Sequence, residues 1–196
     1  MLPETEEYLG YTIRYTRDED PQDPLEDDRL GTMAFCHQRY SLGDKNFSSF
    51  EEISSQEDYK NGISLPIYMY DHSGYTIRTT PFSCPWDSGL VGYIYVSKEK
   101  IRKEFNVSRV TKKIQEKVLD ILVAEVAIYN AYLEGEVYEW RVDNEDCGCG
   151  GYIVVNKKDE ESIRDEARTA VMSIAEKNLE KAEKEQTIDS FPTLAA

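Results

Sequence analysis

The chain has 196 residues, 38 acidic against 23 basic, and a formal net charge of −15. Its length suits one domain with a core of its own, and 40% apolar residues with 14 tyrosines is the composition of a folded chain. No apolar run approaches the roughly 20 residues that cross a bilayer, and the opening "MLPETEEYLG" lacks the basic start and apolar stretch of a secretion signal, so a soluble, cytoplasmic protein with no membrane partner is expected.

In chain order, "YTIRYT" (11–16) alternates β-branched and aromatic residues with polar ones and predicts a strand. "RDEDPQDPLEDDR" (17–29) packs acids around two prolines, which forbids a helix or a central strand and predicts an exposed acidic loop. "TMAFCHQ" (32–38) predicts a strand. Ser49 with Glu52 forms a capping box and Gly62 a stop, which predicts a short helix between them. Strands follow at 64–71, 74–80 and 90–97. The turn "HSG" makes the first two a hairpin, since Gly74 adopts a positive φ without steric cost.

Ser97 caps "KEKIRKEF", and Ile114, Val118, Ile121, Leu122, Val126, Tyr129 and Leu133 recur at helical spacing up to a stop at Gly135. "EVYEWRV" (136–142) and "YIVVN" (152–156) read as paired strands joined by "DNEDCGCGG". A last helix over 159–186 carries a narrow alanine-rich stripe, which fits packing on the body or on a second copy of the chain, and 187–196 reads as a disordered tail. The class expected is α+β: one domain over 1–158 with a largely antiparallel sheet, a long central helix and a long C-terminal helix.

The stretch "YDHSGYTIRTTPFSCPWDSG" (70–89) concentrates unusual chemistry: one of two histidines, one of four cysteines and one of two tryptophans. A cysteine nucleophile needs an imidazole to take its proton and an acid to hold the imidazole's tautomer, so His72, Cys84 and either Asp71 or Asp87 are the residues of a catalytic reading. The same residues suit a tight structural corner, in which Asp87 accepts backbone N–H groups, Gly89 takes a positive φ and Trp86 plugs the end of the sheet. Binding of a small ligand without chemistry is a third reading.

Cytoplasmic cysteines are expected to be reduced or used for metal or chemistry. Cys147 and Cys149 are separated by one residue, where structural zinc sites separate their cysteines by two to four, so a glycine-rich hairpin loop with two thiols is preferred and no metal or cofactor is assigned. No Walker loop and no dinucleotide fingerprint is present.

Charge is unevenly spread. Residues 98–118 hold eight basic and three acidic residues, an anion-facing island or a solvated helix face, in an otherwise acidic chain. Acids recur through Asp120, Glu125, Glu134, Glu136, Glu139, Asp143, Glu145 and Asp146. Paired carboxylates hold magnesium in some nucleases, and acidity by itself aids solubility. A long row of carboxylates also imitates the phosphates of a nucleic acid. On this reading direct nucleic-acid binding is not expected.

The run "LPIYMYDHSGYTIRTTPFSCPWDSGLVGYIYVSKEKIRKEF", with the later "EVAIYNAYLEGEVYEWRV", resembles small proteins of bacteriophages and mobile elements that share a "DHSG…SCPWDSG-x-VG-x-IYVSKE" core. The resemblance spans about residues 65 to 142 and implies a viral or plasmid setting, with no catalytic role to carry over. It leads to the expectation of an anti-defence protein, anti-CRISPR or anti-restriction. Its partner would be a host protein with a basic nucleic-acid groove. A Cys/His hydrolase or nucleotide-processing enzyme and a phage accessory ligand-binding protein are the alternatives.

Overall fold

The computed structural model describes the backbone of residues 2–189 and side chains to residue 184. In chain order the elements are β1 (Thr5–Tyr8), β2 (Tyr11–Arg17), β3 (Thr32–Phe35), β4 (Lys45–Asn46), α1 (Phe50–Ser55), α2 (Glu57–Lys60) and β5 (Gly62–Asp71). They continue with β6 (Tyr75–Arg78), β7 (Ser88–Ser97), α3 (Lys98–Glu104), α4 (Lys112–Leu133), β8 (Val137–Val142), β9 (Gly148–Ile153) and α5 (Lys157–Asp189). The chain divides into two compact units, one of residues 1–21 with 137–196 and the other of residues 22–136.

The first unit is built from both ends of the chain around an antiparallel sheet in the order β1-β2-β8-β9. A two-residue turn joins β1 to β2, with Leu9 at φ 52° and Gly10 at φ 82°, the handedness that suits a tight hairpin. Alternation along β2 and β8 buries Ile13, Tyr15, Trp140 and Val142 on one face. The helical period of α5 sets Ile163, Ala167 and Val171 against them. Glu6 of β1 receives the guanidinium groups of Arg164 at 2.9 Å and Arg168 at 2.6 Å from α5.

The second unit lies between β2 and β8 in sequence. Its five strands run in the order β4-β3-β7-β5-β6, antiparallel except for the short β3–β4 pair. Met33, Phe35, Ile67, Met69, Ile77, Ile94 and Val96 pack with Val118, Leu122, Val126 and Tyr129 of α4. Ala34 and Tyr95, of opposite parity on their strands, form a smaller cluster with Ile53 of α1. Glycine at 92 follows from the close approach of β3, because a Cβ there would meet the Ala34 carbonyl oxygen at 2.2 Å. Two side chains of α4 replace missing backbone partners: Glu125 accepts from the amides of Leu30 at 2.7 Å and Gly31 at 2.8 Å, and Asn130 accepts from Ile77 of the edge strand at 2.7 Å.

The α+β class, the antiparallel sheets, the long central helix and the long C-terminal helix are present as the sequence predicts. Three differences have clear causes. The single sheet expected over 1–158 is two sheets, because β2 pairs with β8 across the intervening chain, residues 18–136, whose own strands pair among themselves. The acidic β1 lacks a strand-like composition and is held instead by pairing with β2 and by the two arginines. All of "CGCGG" but its first residue, Cys147, lies in strand β9, not in a loop; a Cβ at Gly148 would meet the Trp140 carbonyl oxygen at 2.7 Å.

Smaller departures concern single residues. The acidic loop contains a 3-10 turn, Pro24–Glu26, capped by Asp23. The helix expected before Gly62 is two short ones, and Gly62 begins β5. Gly89 is not among the residues with positive φ, whereas Ser73, Gly74 and Gly135 are. Of the tail expected to be disordered, 187–189 continue α5 and 190–196 lie outside the described residues.

Candidate functional site

The β5–β6 hairpin and the loop leading into β7 bring Asp71, His72, Cys84 and Asp87 to one corner of the second unit. The amide of Asp71 donates to the Asp87 carbonyl at 2.8 Å, tying the hairpin to the loop. The Asp87 carboxylate is the point of convergence: His72 Nδ1 lies 3.7 Å from Oδ2, and the Cys84 thiol donates to the same oxygen at 3.6 Å. Ser88 closes the loop by donating its hydroxyl to the Cys84 carbonyl.

Asp71 faces a different group. It pairs with Arg39, and the Tyr40 hydroxyl donates to it at 3.3 Å. The acid between histidine and cysteine is therefore Asp87, and its carboxylate accepts the thiol's hydrogen bond in the place an imidazole base would need.

Trp86 does not plug the sheet. It is 91% exposed and stands at the rim of an open hollow of about 330 Å³ lined by His37, Arg39, Met69, Asp71, Asp87 and the first residues of β7. His37 accepts the amides of Arg39 and Tyr40 on Nδ1, at 3.3 and 3.2 Å, and stacks on the Tyr40 ring at 4.9 Å. Arg39 and His37 complete this corner from the loop after β3. The sequence signal for them was the run "CHQRY" (36–40), too short to place beside a loop fifty residues on without the β3–β7 pairing.

The eight acids of the expected surface fall on both units. In the second unit Glu125 is engaged by the two amides described above, Glu134 accepts the Thr76 hydroxyl at 2.6 Å, and Asp120 is exposed. Glu136, also of this unit, is half-buried.

In the first unit Glu139, Asp143, Glu145 and Asp146 line an open hollow of about 510 Å³ along the β8–β9 hairpin. Two of these hold arginines: Asp143 pairs with Arg14 at 2.7 Å and Glu139 with Arg141 at 3.1 Å. Arg141 beside it, with a hydrogen bond from Thr16, holds the Glu139 carboxyl below its ordinary range. Glu145 and Asp146 are exposed at the tip, where Asn144 takes a φ of 62°.

The cysteines do not assemble. All four are free thiols; Cys147 packs against the core of the first unit, and Cys149 is exposed on β9. Among the described residues no three histidine, cysteine, aspartate or glutamate side chains gather as a metal site would require. Nor is any helix among them long and apolar enough to cross a membrane.

The chain matches no family model, no curated protein and no solved structure.

Proposed function

We propose that the protein is an anti-defence inhibitor carried by a bacteriophage or mobile element, acting in the host cytoplasm on a restriction or CRISPR complex. Its working surface is the β8–β9 hairpin, whose carboxylates occupy a basic groove that otherwise takes nucleic acid. One observation carries the reading: four carboxylates, Glu139, Asp143, Glu145 and Asp146, border one open hollow of about 510 Å³, Glu139 and Asp143 paired with Arg141 and Arg14 and Glu145 and Asp146 exposed at the tip. Negative charge gathered in a concave surface focuses the field and speeds capture of a basic partner.

Glu125 and Glu134 are not part of that surface, because they belong to the other unit and do not line the hollow. The test is phage plating on bacteria that carry defined restriction or CRISPR systems. Wild type rescues plating; a Glu139→Gln/Asp143→Asn/Glu145→Gln/Asp146→Asn variant does not, while His72→Ala/Cys84→Ala does. Rescue that survives the acid changes, or a wild type that rescues nothing, overturns the reading.

A second reading has its own observation. Trp86, at 91% exposure, offers a ring face beside the carboxylate of Asp87 and the guanidinium of Arg39, a combination suited to a planar polar ligand. Tryptophan-fluorescence titration against a small-molecule library tests it, with Trp86→Phe as the control.

A further inference from the structure

The basic island of the second unit is not balanced by the acids around it. Arginines in this protein are habitually occupied: Arg14, Arg29, Arg39 and Arg141 hold carboxylates, and Arg164 and Arg168 share Glu6. Among the described residues, Arg102 and Lys103 at the end of α3, Arg109 in the connection, and Lys112, Lys113 and Lys117 at the start of α4 make no side-chain hydrogen bond or ion pair, and all six are exposed. Exposed lysines elsewhere, among them Lys45, Lys60 and Lys157, also make no such pair, so what sets this segment apart is its density: six cations within sixteen residues, two of them arginines without the partners that the other arginines have.

The backbone that presents them is fixed. α3 ends in a tight left-handed cap: Asn106 takes φ 49°, its amide donates to the Lys103 carbonyl at 3.2 Å, and the Val107 amide donates to the Arg102 carbonyl at 2.9 Å. α4 then starts at the Thr111 cap with two lysines and no acid in its first turn. The positive end of a helix dipole disfavours cations there, so this arrangement works against the helix and in favour of an incoming anion.

We propose that residues 102–117 grip the phosphate backbone of a nucleic-acid duplex. No large hydrophobic side chain within that segment is exposed, as the apolar centre of a protein–protein contact would require. No exposed aromatic ring in it offers the stacking platform of a single-strand binder. Phosphate contacts need neither and carry no sequence preference. Glu99, Glu104 and Glu116 lie in or beside the segment and temper its field without pairing its cations. The net charge of the whole chain opposes such binding only weakly, because repulsion between its carboxylates and phosphates more than about 8–10 Å away is largely screened at physiological salt.

The proposal does not rest on the acidic hairpin.

The experiment is fluorescence anisotropy of the full-length protein with labelled 20-base-pair DNA and RNA duplexes, at salt concentrations from about 50 to 200 mM, the span over which phosphate contacts lose most of their affinity. Arg102→Gln/Arg109→Gln/Lys113→Gln is compared with a control of equal charge loss, Lys45→Gln/Lys157→Gln/Lys158→Gln. Saturable binding is expected with at least one duplex, alike for unrelated sequences. The first variant should bind at least about tenfold more weakly than the control and flatten the log–log salt slope by about 2.7. Circular dichroism confirms that both variants are folded. Absence of binding at low salt, equal effects of the two variants, or binding confined to anionic phosphatidylserine vesicles overturns the proposal.

Discussion

Glu6 shows how a single acidic residue is read differently by sequence and by structure. "ETEEY" has the composition of a solvated segment, yet Glu6 is mostly covered and lies between Arg164, Arg168 and the Tyr15 hydroxyl. Burial pushes its pKa up and is the largest single influence, but the two guanidinium groups together hold it below the ordinary 4.5. A carboxyl depressed in the folded state stabilises above its unfolded pKa, and that contribution disappears as pH falls through the folded value. Urea midpoints for wild type and Glu6→Gln should therefore differ at pH 7 and converge as pH drops below about 4.5. A constant gap down to pH 3 would show that the ion pairs contribute nothing. Burial also raises the Tyr15 hydroxyl to about 12, with the Glu6 charge as the next cause, so the contribution of this group is complete below pH 10 and is lost as pH rises from 10 to 12.

Residues such as these were legible in type and not in role. His72, Cys84 and Asp87 do share one corner, but the order of contact, with the carboxylate between the other two, depends on how the 79–87 loop folds over the hairpin. The corner reading has Trp86 plug the end of the sheet; the sheet is already filled by Met69, Ile77 and Val91, and the ring is left outside.

At the scale of elements, α4 was readable in outline because its apolar spacing is strong, with Val118, Leu122, Val126 and Tyr129 buried as the period requires. Its polar positions were not, since a glutamate on a helix gives no sign of where its oxygens go. The sequence counts Glu125 among the acids of an outer face, and in the fold it is the acceptor for two amides at the entrance to β3. Glu125→Ala should destabilise the protein by about 2–4 kcal/mol, because two partly buried N–H groups lose a charged acceptor. Glu125→Gln, which keeps one carbonyl oxygen, should cost less, and chemical denaturation orders the three. A loss below about 0.5 kcal/mol for the alanine variant would mean that water replaces the carboxylate.

For the whole molecule, the division into two units suggests an insertion. The strands flanking residues 22–136 are paired, with Arg17 opposite Tyr138 and the Asp18 amide donating to the Val137 carbonyl at 2.9 Å, so the inserted chain leaves and returns at one place. Units with adjacent termini and a core of their own tolerate excision. Residues 22–136 expressed alone should give a cooperative urea transition and dispersed amide resonances. A fragment with no cooperative transition would show that its core needs the remainder of the chain.

What the sequence determined by itself was whatever rests on neighbours: the helical period of α4, the alternation in β2, β5 and β7, the caps at Ser49 and Ser97, the turn at Gly74 and the uneven charge. What only the tertiary structure decided was whatever rests on distant pairing. The β2–β8 ladder divides one expected domain into two units. The fold of the loop before β7 determines which atoms meet at Asp87. The ion pairs determine which charges are already engaged and which, as in 102–117, are left free. Local signals act over a turn or a strand, whereas partner choice is set by contacts between residues far apart in the chain, and composition carries no record of those.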